Sequence, residues 1–282
     1  MTTVERAPVA PPVAPAAPPS TWHSLVVVVR NGLRLHRRDP LIWGGALGAT
    51  CALVAAIWPS IADSIGKAIQ NYPEGLKQAF GIRELTSVEQ YVDVEMLSFV
   101  VPLALAFFAV RCATRGIVGA EERGHLDSLL SVPVSRRVLV AGSFLVTAIV
   151  VAAILVVIWA MTWLAGTIAG TDISASKLGA GMADVWPISM SFAGLAVLIA
   201  GLLHRQAPVV GIATGTLVAM YVIDLVGKIS PDIRSLRTVS AFRYYGSAIN
   251  DGLDLSHVLL LTGVGIALAV AGALLFERRD VL

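Results

Sequence analysis

The stretch from Arg111 to Arg137 carries the residues best suited to a specific interaction. An acidic pair, Glu121 and Glu122, stands beside leucines at helical spacing, and Pro133 ends the pattern. Such a helix can place its apolar side chains in a groove of a partner while its charges fix the orientation. We therefore expect a short amphipathic helix that docks on a partner. A solvated helix face is the simpler alternative for the two glutamates. The leucines concerned are Leu126, Leu129 and Leu130.

Motifs of common catalytic and nucleotide-binding sites are missing from the sequence. It contains no Gly-x-x-x-x-Gly-Lys-Ser/Thr, no His-Glu-x-x-His and no Gly-x-Ser-x-Gly. Cys51 and Cys112 have no His or second Cys at ligand spacing, and they lie far apart on the apolar map. We therefore expect neither an enzyme nor a chain with its own cofactor, metal ion or disulfide.

Few ionisable residues interrupt the apolar segments, and such residues are the natural markers of a transport path. Asp184 lies near the start of the fourth segment and is expected either in an outer-side pathway or at a wet interface. Asp224 stands four residues before Lys228, so a helical ion pair is the alternative to a pathway role. Tyr244 and Tyr245 complete the candidate outer-side pathway. So few buried charges make proton-coupled secondary transport the less favoured mechanism.

The composition indicates where these residues must be held. The chain has 282 residues, of which 56% are hydrophobic and 14% charged, whereas ordinary soluble domains have about 25% charged residues. Too few polar residues remain to cover a water-exposed surface, which indicates an integral membrane protein. A net charge of +2 with dispersed basic residues does not favour nucleic-acid binding.

Six apolar runs are long enough to cross a bilayer, which takes about 20 helical residues. We expect an all-α polytopic membrane protein with a single membrane domain over residues 21–282 and a disordered Pro/Ala-rich tail over residues 1–20. The predicted spans are 41–58, 96–113, 138–166, 182–203, 209–226 and 257–276. An even number of spans puts both termini on one side. That side also carries the larger share of the flanking Lys and Arg residues, so we expect the termini to be cytoplasmic.

An amphipathic helix is predicted before the first span, between Thr21 and Asp39. Its apolar side chains recur at helical spacing, and Asp39-Pro40 should break it. We expect it to lie in the membrane interface with a basic side against anionic lipid headgroups. A cytosolic helix without membrane contact is the alternative. The basic residues are Arg30, Arg34, Arg37 and Arg38.

The stretch EERGHLDSLLSVPVSRRVLVAGSF resembles the signature region of the type-2 ABC exporter permease family. Members of that family commonly carry an acidic pair, a glycine, a leucine-rich turn and Ser-x-Pro-x-Ser-Arg before the third span. The segment Ser240–Gly252 and the terminal FERRDVL are similar to the family in a weaker way. The resemblance covers about residues 21–282. The matching residues are Glu121, Glu122, Gly124, Leu126, Leu129, Leu130, Ser131, Pro133, Ser135 and Arg136.

This resemblance implies a six-span permease half in a bacterial plasma membrane, paired with a second, identical or different half. Two separate ATPase subunits, which hold ATP and Mg²⁺, would dock on the cytoplasmic coupling helix at Glu121–Pro133, with Arg136 beside it. A smaller docking contact would lie at the His204–Pro208 turn, through His204 and Arg205. The segment Ser230–Asp254 would be an outer hairpin that caps the exit path.

The expected function is therefore ATP-driven export. The scarcity of charge in the spans favours an apolar or amphipathic cargo such as an antibiotic, a drug or a lipid-like molecule. A membrane scaffold without transport activity and an ATP-independent secondary transporter are the alternatives. A membrane-embedded enzyme is disfavoured because the spans hold no recognisable set of catalytic residues.

Overall fold

The computed structural model describes residues 20–70, 73, 86–122 and 135–278. This part of the chain is helical and contains no strand, which confirms the predicted all-α fold. The elements are α1 (Thr21–Leu35), α2 (Asp39–Gln70), α3 (Val88–Val92), a π-helical turn (Asp93–Leu97), α4 (Val100–Arg115), α5 (Val118–Glu122), α6 (Arg136–Ile168), α7 (Ala175–Ala200), α8 (Gln206–Ile229), 3₁₀ segments (Pro231–Val239 and Ala241–Arg243), α9 (Ala248–Asp251) and α10 (Leu255–Glu277). Except for Ser20, the predicted tail lies outside the described residues.

Five of these helices are long and apolar enough to cross a membrane. The second predicted span, 96–113, is broken: Val88–Leu97 and Val100–Arg115 meet at an angle of 46°. The described residues therefore contain five continuous spans, or six if the bent pair crosses as one. The five are Asp39–Ala62, Arg136–Ile168, Ala175–Ala200, Gln206–Ile229 and Leu255–Glu277. The chain is a multi-pass membrane protein.

The predicted limits of the fourth span were wrong at both ends. Helix α7 begins at Ala175 rather than at residue 182, and it ends at Ala200 rather than at residue 203. The side chain of Ser174 accepts a hydrogen bond from the backbone N–H of Lys177, which is a typical N-cap. This N-cap starts the helix about two turns before the predicted span.

Helix α7 forms the centre of the bundle. Within its most apolar 18-residue window, 78% of the residues are buried, against 22% for the corresponding windows of α2, α8 and α10. It packs on α10, α4, α6 and α8. A Cβ atom placed on Gly194 would lie 2.1 Å from the carbonyl oxygen of Gly265, so α7 and α10 touch backbone to backbone. Such contacts allow close packing between apolar helices that gain little from the hydrophobic effect in lipid.

Helix α1 packs against the first turns of α6 through two glycines. A Cβ on Gly32 would meet Val146 at 2.6 Å, and one on Gly142 would meet Val28 at 2.5 Å. The chain then turns at residues 36–38, where His36 Nδ1 lies 2.5 Å from Asp39 Oδ2. The predicted helix is present, but it ends at Leu35 rather than at Asp39, and Asp39 and Pro40 begin α2 instead of breaking α1. The glycine contacts hold α1 firmly on the bundle.

Candidate functional site

Glu122 and Gln206, one residue from each of the two predicted docking segments, meet at one end of the bundle. This end carries the turn between α1 and α2 and is here called the N-terminal face. Oε1 of Glu122, at the end of α5, accepts a hydrogen bond of 2.9 Å from the backbone N–H of Gln206. Gln206 begins α8 and follows His204 and Arg205, which are both exposed. A carboxylate is favourably placed at a helix N-terminus because the N–H groups there lack intrahelical partners. This contact joins residues 84 positions apart in the sequence.

The predicted coupling helix is described only at its beginning. Ile117 and Val118 are buried in the core, so they anchor α5 rather than face a partner. Glu121 lies in α5, but its side chain is outside the described part of the structure. The remaining docking residues of the prediction, Gly124, Leu126, Leu129, Leu130 and Pro133, also lie outside it.

Arg136 forms contacts within the chain. Its Nη1 atom donates a hydrogen bond of 3.3 Å to the carbonyl oxygen of Phe276, and its guanidinium lies 5.8 Å from the centre of the Phe276 ring. Such cation–π contacts add to the stability of the pair. The neighbouring Arg137 forms an ion pair with Glu277. The start of α6 is thereby tied to the end of α10.

The four arginines of the predicted interfacial helix are exposed at the same end of the molecule. Arg30 and Arg34 lie on α1, and Arg37 and Arg38 lie in the turn that follows it. Trp22, at the other end of α1, has 73% of its surface exposed. Helix α1 therefore presents apolar as well as basic side chains to its surroundings, which fits the predicted amphipathic character.

At the opposite end, residues Ser230–Asp254 fold into short helical segments, here called the cap. Asp224 of α8 is only 3% exposed and contacts two cations, Lys228 Nζ and Arg237 Nε, each at 2.9 Å. The predicted ion pair between Asp224 and Lys228 is confirmed. Arg237, which the sequence did not single out, belongs to the cap. Asp224 therefore ties the cap to α8, and the hydroxyl of Ser240 adds a hydrogen bond of 2.7 Å to the carbonyl of Met220.

Asp184 is also buried, with 6% of its surface exposed, so its alternative placement at a wet interface was wrong. Because α7 begins at Ala175, Asp184 lies about 14 Å along the helix rather than at its first turn. Its carboxylate accepts a hydrogen bond from the backbone of Gly246, in the cap. It also lies within Coulombic range of Asp93 and His257.

Sequence reasoning missed two further buried carboxylates, Asp93 and Glu89, which are 8% and 3% exposed. Asp93 accepts hydrogen bonds from the hydroxyl of Ser247 and, at 3.4 Å, from the side-chain amide of Asn250. Glu89 accepts one of 2.5 Å from the backbone of Ser174. The only signal was their position just before an apolar run. Asp93 begins the π-helical turn, an irregularity that is frequent at functional sites.

The two tyrosines of the candidate pathway belong to the cap, and they differ in their contacts. Tyr245 donates a hydrogen bond of 2.8 Å to the carbonyl of Leu97, at the end of the π-helical turn. Burial raises the pKa of the Tyr245 phenol well above its ordinary value, so the hydroxyl remains a donor. Tyr244 reaches only the carbonyl of Thr238, at 3.4 Å, and packs edge-on against His257.

The cap is thus fastened at two separate places. Arg237 and Ser240 hold it to α8, while Tyr245, Ser247 and Asn250 hold it to the broken span. Among the described residues, no group of His, Cys, Asp or Glu side chains is arranged to hold a metal ion. The site is a bridge of hydrogen bonds and ion pairs between the ends of the helices opposite the N-terminal face.

A helical bundle with several membrane-length helices and a folded segment at one end is an all-α polytopic membrane protein. Residues 32–277 match the family described as "Multidrug efflux system permease Rv1217c, C-terminal domain". The match covers most of the chain, and the protein belongs to this family, consistent with the resemblance to ABC exporter permeases. No curated protein matches the chain.

Proposed function

We propose that this permease is the membrane-spanning half of an ATP-driven exporter, energised by two separate ATPase subunits that dock on its N-terminal face. The observation that carries the proposal is the pair of contacts at the two ends of α8. Glu122 bonds the first residue of α8, and Asp224 near its last turn pairs with Arg237 of the cap. A helix of 24 residues, about 36 Å long, therefore connects the proposed docking surface with the cap.

This connection supplies a mechanism. Movement of α5 by the ATPase subunits is transmitted to α8 through the Glu122 contact and to the cap through the Asp224 contact. The two ends of the permease then alternate between two arrangements of the same helices, and ATP shifts their populations. ATP and Mg²⁺ bind to the partner subunits. The permease itself catalyses no reaction.

A second permease half pairs with this one through α8. A Cβ atom on Gly211 or Gly215 would have nothing within 4 Å in this chain, in contrast to the tightly packed Gly194 and Gly265. Small residues on an open helix face allow another helix to approach closely. In the bacterial plasma membrane the flanking Lys and Arg residues favour cytoplasmic termini, and the cap then faces outward. The apolar spans favour an apolar or amphipathic cargo, in accord with the multidrug efflux named in the family description.

Co-purification tests the docking surface. The permease is produced with a candidate ATPase that carries the nucleotide-binding motifs, as wild type and with Glu121→Lys and Glu122→Lys combined. We expect the double variant to lose the ATPase. The matched control is Asp172→Lys, an exposed acidic residue at the cap end, which should retain it. If the complex survives both the charge reversals and Leu126, Leu129 and Leu130 changed to Ser, the docking surface lies elsewhere.

The buried carboxylates Asp93 and Asp184 favour one alternative function, that of a proton-coupled exporter without ATPase subunits. The two functions differ in their energy source. Export from vesicles that requires ATP and stops when the ATPase is inactivated supports the proposal. Export driven by a pH gradient in vesicles that contain the permease alone supports the proton-coupled alternative. A scaffold would bind partners but move no cargo under either condition.

A further inference from the structure

We propose that an anionic phospholipid binds in a groove between α1 and α6, with one acyl chain in the groove and its phosphate on the arginines at the rim. The groove has a volume of about 560 Å³ and an almost wholly apolar lining. Residues of α1 that line it include Trp22, Val26, Val29 and Leu33, and Leu145 of α6 closes the other side. This site is independent of the proposed ATP-driven mechanism.

The groove is a fixed feature of the bundle. The close contacts of Gly32 with Val146 and of Gly142 with Val28 hold α1 on α6. At the far end of α1, the buried His36 contacts Asp39, and its Nε2 lies 3.8 Å from the Cys112 sulfur, which anchors the turn to α4. Binding there would therefore cost little reorganisation of the protein.

The charges at the groove select an anion. Arg30 and Arg34 are four residues apart and so lie on one side of α1, and Arg37 lines the groove from the turn that follows the helix. In the described part of the chain, no acidic side chain forms an ion pair with any of them. Guanidinium groups match phosphate geometry well because they offer several donors in one plane.

The depth of the groove fits a lipid rather than a soluble anion. Leu145 lies nine residues after the start of α6, which is about 14 Å of helix, and it is 43% exposed although apolar. The apolar lining beside the arginines thus reaches onto a helix long enough to span a membrane. A free phosphate would contact only the rim and leave the lining exposed, whereas a phospholipid satisfies both parts.

Native mass spectrometry of the full chain tests the proposal. The protein in a neutral detergent is equilibrated with phosphatidylglycerol or phosphatidylcholine, and the retained lipid is counted. We expect one phosphatidylglycerol molecule to be retained at least tenfold more strongly than phosphatidylcholine. The change Arg34→Gln should weaken its retention by about fivefold, because each basic residue near a membrane surface contributes about 1 kcal/mol. The combined change of Arg30, Arg34 and Arg37 to Gln should remove the preference.

The matched control is Arg38→Gln, an exposed arginine of the same turn that does not line the groove, and it should leave retention unchanged. Val29→Trp should lower the retention of both lipids by filling the groove, and millimolar inorganic phosphate should not displace the lipid. Equal effects of Arg34→Gln and Arg38→Gln would overturn the site in favour of diffuse attraction. More lipid retained after deletion of residues 1–19 would also overturn it, because the tail would then be the occupant.

Discussion

Two buried carboxylate sites beneath the cap differ in how their charge is compensated. Asp224 contacts two cations at 2.9 Å, one from its own helix and one from the cap. Asp93 and Asp184 lie close to each other, and in the described part of the chain neither forms an ion pair with a Lys or an Arg. Their partners are instead a hydroxyl, a side-chain amide and a backbone group.

From this difference in charge compensation we infer a structural role for Asp224 and a role in transport for the pair Asp93 and Asp184. A buried carboxylate that contacts a cation from each of two elements holds those elements together. A pair of buried carboxylates without cations is costly, so it is the better marker of a group that serves transport. The two sites should therefore respond in opposite ways to substitution. The Asp224 site should control stability, and Asp184 should control activity.

The largest expected effect is the removal of both cations by Lys228→Met and Arg237→Met together. It would leave Asp224 buried and unpaired, which we expect to lower the free energy of unfolding by about 3–5 kcal/mol. Denaturant unfolding in detergent measures the loss. The control adds Asp224→Leu, which removes the orphaned charge and should restore most of the stability. If the double variant is as stable as wild type, the ion pairs do not hold the cap.

Asp93→Ala should have the next largest effect. It removes the acceptor of Ser247 and Asn250 under the cap, at an expected cost of about 1–3 kcal/mol in the free energy of unfolding. Hydrogen exchange of residues 244–251 should rise at the same time, because this end of the cap loses its attachment. Unchanged exchange there would mean that the remaining hydrogen bonds, from Tyr245 to Leu97 and from Gln90 to Asn250, are enough to fasten this end.

Tyr245→Phe should cost about 1 kcal/mol, since it removes the hydrogen bond to the Leu97 carbonyl and little else. Tyr244→Phe is the matched control. Its hydroxyl makes only a long contact of 3.4 Å, so the change in stability should stay within about 0.5 kcal/mol. Thermal unfolding in detergent compares the two variants. Equal losses would contradict the distinction between these neighbouring tyrosines.

Asp184→Asn should have the smallest effect on stability, within about 1 kcal/mol, because an amide oxygen can still accept the hydrogen bond from Gly246. Transport should nevertheless slow markedly, since the ionisable group is lost. Cargo flux in vesicles measures this beside the unfolding experiment. A variant with full activity would make Asp184 a purely structural group and remove the contrast with Asp224.

Local patterns in the sequence predicted much of the fold. Apolar runs located the spans, helical spacing located α1, and the interval of four residues predicted the pair of Asp224 with Lys228. The contacts that build the site are not local. Glu122 bonds a residue 84 positions away, and Asp93 meets one 154 positions away. Nothing in the local spacing of these residues identifies their partners.

The buried position of Asp184 and Asp93 was missed for a related reason. Asp184 stands near the start of the predicted fourth span and Asp93 just before the predicted second span, so the apolar pattern put both at the edge of a span rather than inside the bundle. The N-cap at Ser174 and the π-helical turn extend helical structure through these segments and carry the carboxylates into the bundle. An N-cap residue can be recognised in a sequence, but a π-helical turn leaves no comparable signature.

The backbone contact between Gly194 and Gly265 has a consequence for any spectroscopic study of this permease. Two helices that touch along their main chains cannot slide past each other without a collision, so α7 and α10 must travel as one rigid body. Spin labels at cysteines that replace the exposed residues Lys177 of α7 and Leu259 of α10 would therefore keep a constant separation in every state. That constant separation is an internal reference distance for measuring the displacement of α8 and the cap.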